Sequence, residues 1–208
     1  MSVLSNKLMQ EGYLKNDLII DAFANVSRVE FVPSEMELQA DIDIPLPIGH
    51  GQTISQPKTV AIMLEFLDPR PGQKILDIGS GSGWTTALLS FIVGENGKVI
   101  ALERVKDLCD MGRKNTDKMN FVKKGIAEFY NLSGEKGNEA RAPYDRILVS
   151  ASSRKVPEEL KKQLNIGGKM VIPINNRIHY IERKKEDDFY EEEYSGFAFV
   201  PLIKKSSA

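Results

Sequence analysis

The sequence predicts an α/β fold: a mainly parallel sheet with helices on both faces, closed by a C-terminal antiparallel hairpin. Three observations carry that prediction. Short apolar runs of strand length alternate with longer segments of helical spacing, the pattern of consecutive strand–helix units. One run, Ile75-Leu76-Asp77-Ile78, passes through Gly79-Ser80-Gly81-Ser82-Gly83 into Trp84-Thr85-Thr86-Ala87-Leu88-Leu89, which reads as strand, glycine turn and helix. Near the end, residues 178–182 and 189–194 flank the charged stretch Lys184-Lys185-Glu186-Asp187-Asp188, a hairpin with a solvated turn.

The elements follow in order. Residues 5–10 and 17–26 have helical apolar spacing, separated by the break at Gly12. Residues 45–57, Pro-Leu-Pro-Ile-Gly-His-Gly-Gln-Thr-Ile-Ser-Gln-Pro, are too irregular for core and too polar for a linker, and read as a shaped loop. Residues 59–67 form a helix stopped by Asp68-Pro69-Arg70-Pro71-Gly72. Lys98-Val99-Ile100-Ala101-Leu102 is a second buried strand ending in Glu103, and residues 106–118 a helix with a charged face. Phe121-Val122 is expected as a short strand, 145–150 as a strand, 156–164 as a helix and 169–174 as a strand.

Two of these segments carry chemistry. In the 45–57 loop, prolines fix φ at Pro45 and Pro47, Gly49 and Gly51 allow close approach, and Gln52, Thr53 and Ser55 offer hydrogen-bonding groups from a stiffened backbone. That suits holding a small polar group. In the 75–89 segment, glycines at a strand end let a ligand approach the backbone, and the first helical turn presents unpaired N–H groups. A nucleotide-like ligand is expected. A dinucleotide fingerprint would need glycine or alanine at the sixth position of its motif, where this chain has Trp84. Glu103, one strand further on, is placed to accept hydrogen bonds from a ribose diol. Asp77, the glycines and Glu103 together resemble the S-adenosylmethionine site of Rossmann-like methyltransferases.

The chain as a whole resembles the protein-L-isoaspartate (D-aspartate) O-methyltransferase family. Arg28-Val29-Glu30-Phe31-Val32-Pro33 is similar to its R-x-x-F-V-P segment, residues 45–57 to its P-L-P-I-G-x-G-Q-T-I-S-x-P loop, and residues 75–83 to its cofactor turn. Residues 142–149, Val156-Pro157, Gly167-Gly168, Val171-Ile172-Pro173 and the closing Phe199-Val200-Pro201-Leu202 resemble its later motifs. The resemblance implies one methyltransferase domain over 1–208: an N-terminal helical region with substrate loop (1–58), a cofactor-binding core (59–174) and C-terminal strands (175–208). It implies S-adenosylmethionine as cofactor, bound by Asp77, Gly79, Ser80, Gly81, Ser82, Gly83 and Glu103. Isoaspartyl-containing proteins and peptides would be the substrates, met by Gln52, Thr53, Ile54 and Ser55, with Ser55 as the catalytic serine that orients the carboxylate by donating a hydrogen bond. Where the family continues its fourth strand into Gly-Asp-Gly, this chain has Gly125-Ile126-Ala127, so the Ile126 amide, or Glu128, is assigned to the adenine. Ala40-Asp41-Ile42-Asp43 lacks the tyrosine of the family's A-Y-x-D stretch.

A carboxylate acceptor is ionised near neutral pH, its ordinary pKa being about 4, so the reaction needs alignment and no general base. Consistent with that, His50 and His179 are the only histidines and mark no Ser-His-Asp arrangement. The family-based alternatives are a carboxyl methyltransferase acting on one specific peptide, and a cofactor-binding adaptor that recognises isoaspartyl sites. Plainer roles are expected for His50 (solvent-facing or capping), Cys109 (a buried small hydrophobe), Trp84 (packing) and Glu191-Glu192-Glu193 (a solvated strand end). No metal site is expected.

Composition narrows the class. A chain of 208 residues with 41% hydrophobic content can bury one sizeable core. A net charge of −1 makes no electrostatic case for nucleic acid or an anionic membrane. The lone Cys109 cannot form an internal disulfide, and no apolar run approaches the roughly 20 residues of a membrane span. The N-terminal stretch lacks a signal-peptide core. A cytoplasmic monomer is expected.

Overall fold

A computed structural model describes residues 3–197. Two helices lead the chain, α1 (Val3–Gln10) and α2 (Asp17–Asn25). Asn16 caps α2, its side-chain oxygen accepting the Leu18 N–H at 3.0 Å, which satisfies one of the donors a helix start leaves free. Two 3-10 turns follow, Arg28–Phe31 and Ser34–Gln39. The stretch expected as an irregular loop is a small antiparallel hairpin, β1 (Leu46–Gly49) with β2 (Gln52–Ile54). His50 and Gly51 make its two-residue turn with φ of 52° and 68°. Positive φ at both turn positions is the geometry whose twist matches paired strands, and it explains the glycine. Helix α3 (Pro57–Leu67) starts on a proline, where a missing N–H costs nothing.

The main sheet contains β3 (Lys74–Ile78), β4 (Lys98–Leu102), β5 (Ala127–Tyr130), β6 (Tyr144–Val149), β7 (Leu164–Ile174), β8 (Arg177–Lys185) and β9 (Asp188–Ser195). Its order is β5-β4-β3-β6-β7-β8-β9, with β3 to β7 parallel and β8 and β9 added antiparallel, so the expected hairpin is present. Helices α4 (Trp84–Val93) and α5 (Lys106–Asp117) connect β3 to β4 and β4 to β5, and the short α6 (Glu158–Lys162) precedes β7. Alternation along β3 splits the core: Ile75 packs with Leu64, Leu88 and the other residues of α1 to α4, whereas Leu76 and Ile78 pack with Ile147, Leu160 and Met170 on the opposite face. Ala101, Cys109, Ala127 and Phe129 form a third cluster under α5.

Two further expectations shift, and one is untested. Phe121-Val122 lies in turns, and the strand comes later as β5, because the Phe121 carbonyl accepts both the Ile126 and Ala127 N–H groups (2.9 and 3.0 Å) and closes a turn ahead of it. The 156–164 helix shrinks to α6, since Pro157 stands outside its first turn and Leu164 already pairs with Tyr144 as strand. The motif at Phe199-Val200-Pro201-Leu202 lies outside the described residues.

Candidate active site

From β3 the chain steps outward through β4 to β5, then returns to β6 on the other side of β3. Ligands of open α/β sheets bind beyond the C-terminal strand ends at such a reversal. A cleft of about 850 Å³, counting its open mouth, lies there. Its walls come from the segment after each strand: residues 79–82 after β3, 103–105 after β4, 132–134 after β5 and 150–151 after β6. Residues 52–55, from β2 and the Ser55 that follows it, complete the cleft. The expected cofactor turn and the expected substrate loop therefore share one cavity.

The turn is shaped by its glycines. Gly79 and Gly81 have φ of 78° and 51°, values that a residue with a Cβ rarely adopts, and a Cβ on Gly81 would come within 3.2 Å of the Ile48 side chain of the hairpin. Close seating of the hairpin on the turn thus depends on Gly81. Glu103 is buried, with Oε2 accepting the Gly81 N–H at 3.1 Å and Oε1 the Val105 N–H at 2.9 Å. Each carboxylate oxygen keeps a further lone pair, which leaves capacity for a diol on the cleft side.

Asp77 stands behind the cleft wall. It is fully buried, and Oδ2 accepts hydrogen bonds from Thr85 (2.9 Å) and Thr86 (2.6 Å), whereas Oδ1 has no partner. Burial pushes its pKa up to about 6, against the lowering pull of those two hydroxyls, and the nearby Glu103 charge adds to the rise. The Ser80 hydroxyl is a second buried polar atom without a partner. Of these two atoms only the Ser80 hydroxyl lines the cleft, where it fits a polar ligand, because such an atom is costly to leave unmatched; Asp77, behind the wall, acts on a ligand there through its charge.

A model of the protein-L-isoaspartate (D-aspartate) O-methyltransferase family matches residues 1–207. The chain belongs to that family. It is 44% identical over 207 residues to a protein-L-isoaspartate O-methyltransferase of Methanopyrus kandleri, spanning 96% of this chain and 89% of that protein. It is 40% identical over 203 residues to one of Methanothermobacter thermautotrophicus, spanning 95% and 92%. Among solved structures, a Plasmodium falciparum protein named as a protein-L-isoaspartate O-methyltransferase, in complex with S-adenosyl-L-homocysteine, superposes with a TM-score of 0.87 at 28% identity over 97% of both chains.

Within this isoaspartate methyltransferase family member, Gln52, Thr53, Ile54, Ser55, Gly79, Ser80, Gly81, Ser82 and Glu103 all line the cleft. Gly83 does not: φ is 93°, and a Cβ there would lie 2.6 Å from the Gly112 carbonyl of α5, so it serves helix packing. The Ile126 assignment is corrected. Its amide donates to Phe121, and its carbonyl accepts from Val99 near the start of β4, so it lies at the sheet end opposite the cleft. Glu128 is committed elsewhere too, ion-paired with Lys98 and Arg141. The segment that follows the end of β5 is Asn131-Leu132-Ser133-Gly134, and its last three residues line the cleft. Asn131 braces that segment, its side-chain amide donating to the carbonyls of Glu103 and Arg104 (both 2.9 Å). None of these, nor Ser150 and Ala151, was an expected site residue; the alternation Ala127-Glu128-Phe129-Tyr130 was the signal for the first group, and the end of the expected 145–150 strand the signal for the last two.

The plainer roles are as expected. Trp84 is buried edge-on to Phe23, centroids 5.5 Å apart, although it also touches the cleft. Cys109 is buried among apolar neighbours, which raises its pKa. His50 is half exposed at the hairpin tip, with Nε2 3.3 Å from Asp107. Glu191, Glu192 and Glu193 lie exposed on β9.

Proposed function

We propose that this chain transfers a methyl group from S-adenosylmethionine to the free α-carboxyl of L-isoaspartyl residues in damaged proteins and peptides, a repair reaction. The observation that carries the reading is that Ser55 and the glycine turn line the same cleft. When bound, the cofactor supplies an activated sulfonium methyl. Residues 79–82 and Glu103 hold it by backbone and carboxylate, and Asp77 places negative charge behind them. Ser55 donates its hydroxyl hydrogen to the incoming carboxylate and fixes its approach; Gln52, Thr53 and Ile54 shape the entry. Rate comes from in-line placement and from exclusion of water, with no proton to move. The methyl ester can lose methanol where a free carboxylate has no comparable leaving group, so the adjacent amide nitrogen attacks the ester carbonyl, expels methanol and closes a succinimide, which water reopens partly as aspartate.

In this reading the chain works as one domain, with 1–58 meeting the substrate and 59–174 the cofactor, and with β8 and β9 of the 175–208 region completing the sheet. It acts as a cytoplasmic monomer: Cys109 is a free thiol, and a net charge of −1 offers nucleic acid no attraction. Among the described residues no helix is long and apolar enough to cross a membrane.

The test is methylation of an L-isoaspartyl peptide beside its L-aspartyl twin. The isoaspartyl linkage runs the backbone through the side-chain methylene and leaves an α-carboxylate, whereas aspartate presents a β-carboxylate. A displacement of about 1 Å costs on the order of a hundredfold in rate, so the twin should be methylated little or not at all, and flanking sequence should matter little. Ser55→Ala should depress kcat/KM while leaving S-adenosylhomocysteine binding nearly intact. Equal turnover of both isomers, or activity on a single peptide sequence only, overturns the repair reading.

A further inference from the structure

Arg28 is a cation buried to 2% exposure at the meeting of three segments. Its Nη1 donates to the carbonyls of Ala40 (2.9 Å) and Ile42 (3.3 Å), and its Nη2 to those of Ile44 (2.9 Å) and Ser55 (3.1 Å). Ile44 precedes β1 and Ser55 follows β2, so one nitrogen ties both legs of the β1–β2 hairpin at its base. Beneath the hairpin, the guanidinium carbon lies 5.4 Å from the Trp84 ring centroid, and Trp84 is the first residue of α4 after the glycine turn. The clasp therefore joins the Ser55 loop to the floor of the cofactor turn.

Asp43, between two of the carbonyls that Arg28 holds, grips the other side of Ser55. Its Oδ2 accepts from the Gln56 side-chain amide at 3.0 Å and its Oδ1 from the Lys58 N–H at 2.8 Å. Residue 55 is thus held through its own carbonyl by one side chain, and the residues just after it by another. A buried charge is expensive, and desolvation draws the Arg28 pKa down to about 10. All four of its hydrogen bonds go to main-chain carbonyls, with Nε left buried and unpartnered, which marks the forked donor geometry as the property in use. A lysine has charge but no fork.

We propose that Arg28 and Asp43 are positioning residues for Ser55, holding its backbone at the height over the glycine turn that methyl transfer requires. The inference rests on the reading of Ser55 as the group that orients the acceptor carboxylate. The experiment is a set of double-mutant cycles on the full chain, pairing Ser55→Ala with Arg28→Lys and with Asp43→Asn, and recording kcat and KM for an isoaspartyl peptide, S-adenosylhomocysteine affinity and thermal midpoint.

Arg28→Lys should lower kcat by about tenfold to a hundredfold, the cost of a displacement near 1 Å, with KM and S-adenosylhomocysteine affinity within about threefold of wild type. Most of that fall should vanish when Ser55 is already alanine. Asp43→Asn, at a partly exposed position, should show a smaller fall with the same non-additivity, and decides the matter should Arg28→Lys fail to fold. Unchanged kcat in these variants, or a fall that persists undiminished in the Ser55→Ala background, overturns the positioning role and leaves the Ser55 reading standing. Full activity of Ser55→Ala alone overturns that reading, and this inference with it.

Discussion

Asp77→Asn should change how the stability of the cofactor-stripped protein depends on pH. The carboxyl has an ordinary pKa of 3.8 and one of about 6 in the fold, raised chiefly by burial. A shift of about 2 units at 1.36 kcal/mol each is about 3 kcal/mol. Below pH 3.8 the group is protonated in both folded and unfolded chains and adds no penalty. Between 3.8 and 6 the unfolded chain loses its proton while the fold retains it, so stability falls as pH rises; above 6 the full penalty is in place. Asparagine cannot titrate, and comparison with it cancels the groups that do not interact with Asp77, leaving its own titration and its coupling to Glu103. Urea or thermal melts of both proteins from pH 4 to 7.5 should show wild type losing about 3 kcal/mol relative to Asp77→Asn, or roughly 6–12 °C for a chain of this size. The sign of the gap at any single pH also carries the cost of fitting an amide beside Thr85 and Thr86, so the change with pH is the quantity to read. A gap that stays constant across that range, or wild type gaining as pH rises, refutes the assignment of a costly ionised carboxylate behind the cofactor turn.

Glu103→Ala removes an acceptor that also holds the Gly81 and Val105 amides. A charged hydrogen bond contributes about 1.5–3 kcal/mol, so calorimetry should find S-adenosylhomocysteine binding weaker by about tenfold to a hundredfold; unchanged affinity would remove Glu103 from the site. Gly83→Ala meets both a positive φ and the Gly112 carbonyl at 2.6 Å, whereas Gly12→Ala meets positive φ alone with nothing within 4 Å. Thermal melts should therefore rank Gly83→Ala as clearly the more destabilising, with strain of about 1 kcal/mol at Gly12; equal losses would show that packing of the turn on α5 contributes little.

The site was legible in the sequence wherever its chemistry is local. The glycine turn, Glu103 at the end of the next apolar run and the polar 52–55 stretch are each contiguous, and each lines the cleft. The 45–57 loop was legible as rigid but not as a hairpin, since prolines at 45 and 47 mask the strand pattern while the His50-Gly51 turn that pairs the two legs depends on φ, which composition only hints at. The third parallel strand, β5, was read too early because Phe121 and Val122 are apolar yet serve as a turn and its packing, and the adenine assignment to Ile126 slid with it to the wrong end of the sheet.

By itself, the sequence determined the alternation of elements, the turn chemistry and the residue types that a methyl transfer to carboxylate needs, because these follow from hydrophobic period, backbone freedom and side-chain pKa within a few residues of each other. Tertiary structure alone decided that β6 returns beside β3, which brings Ser150 and Ala151 to the turn, that residues 132–134 supply a further wall, and that Arg28 reaches Ser55 across 27 positions. Strand order and the burial of a guanidinium are settled by pairing and packing between segments far apart in the chain. Their energies depend on which surfaces meet, and no local pattern of residues records that.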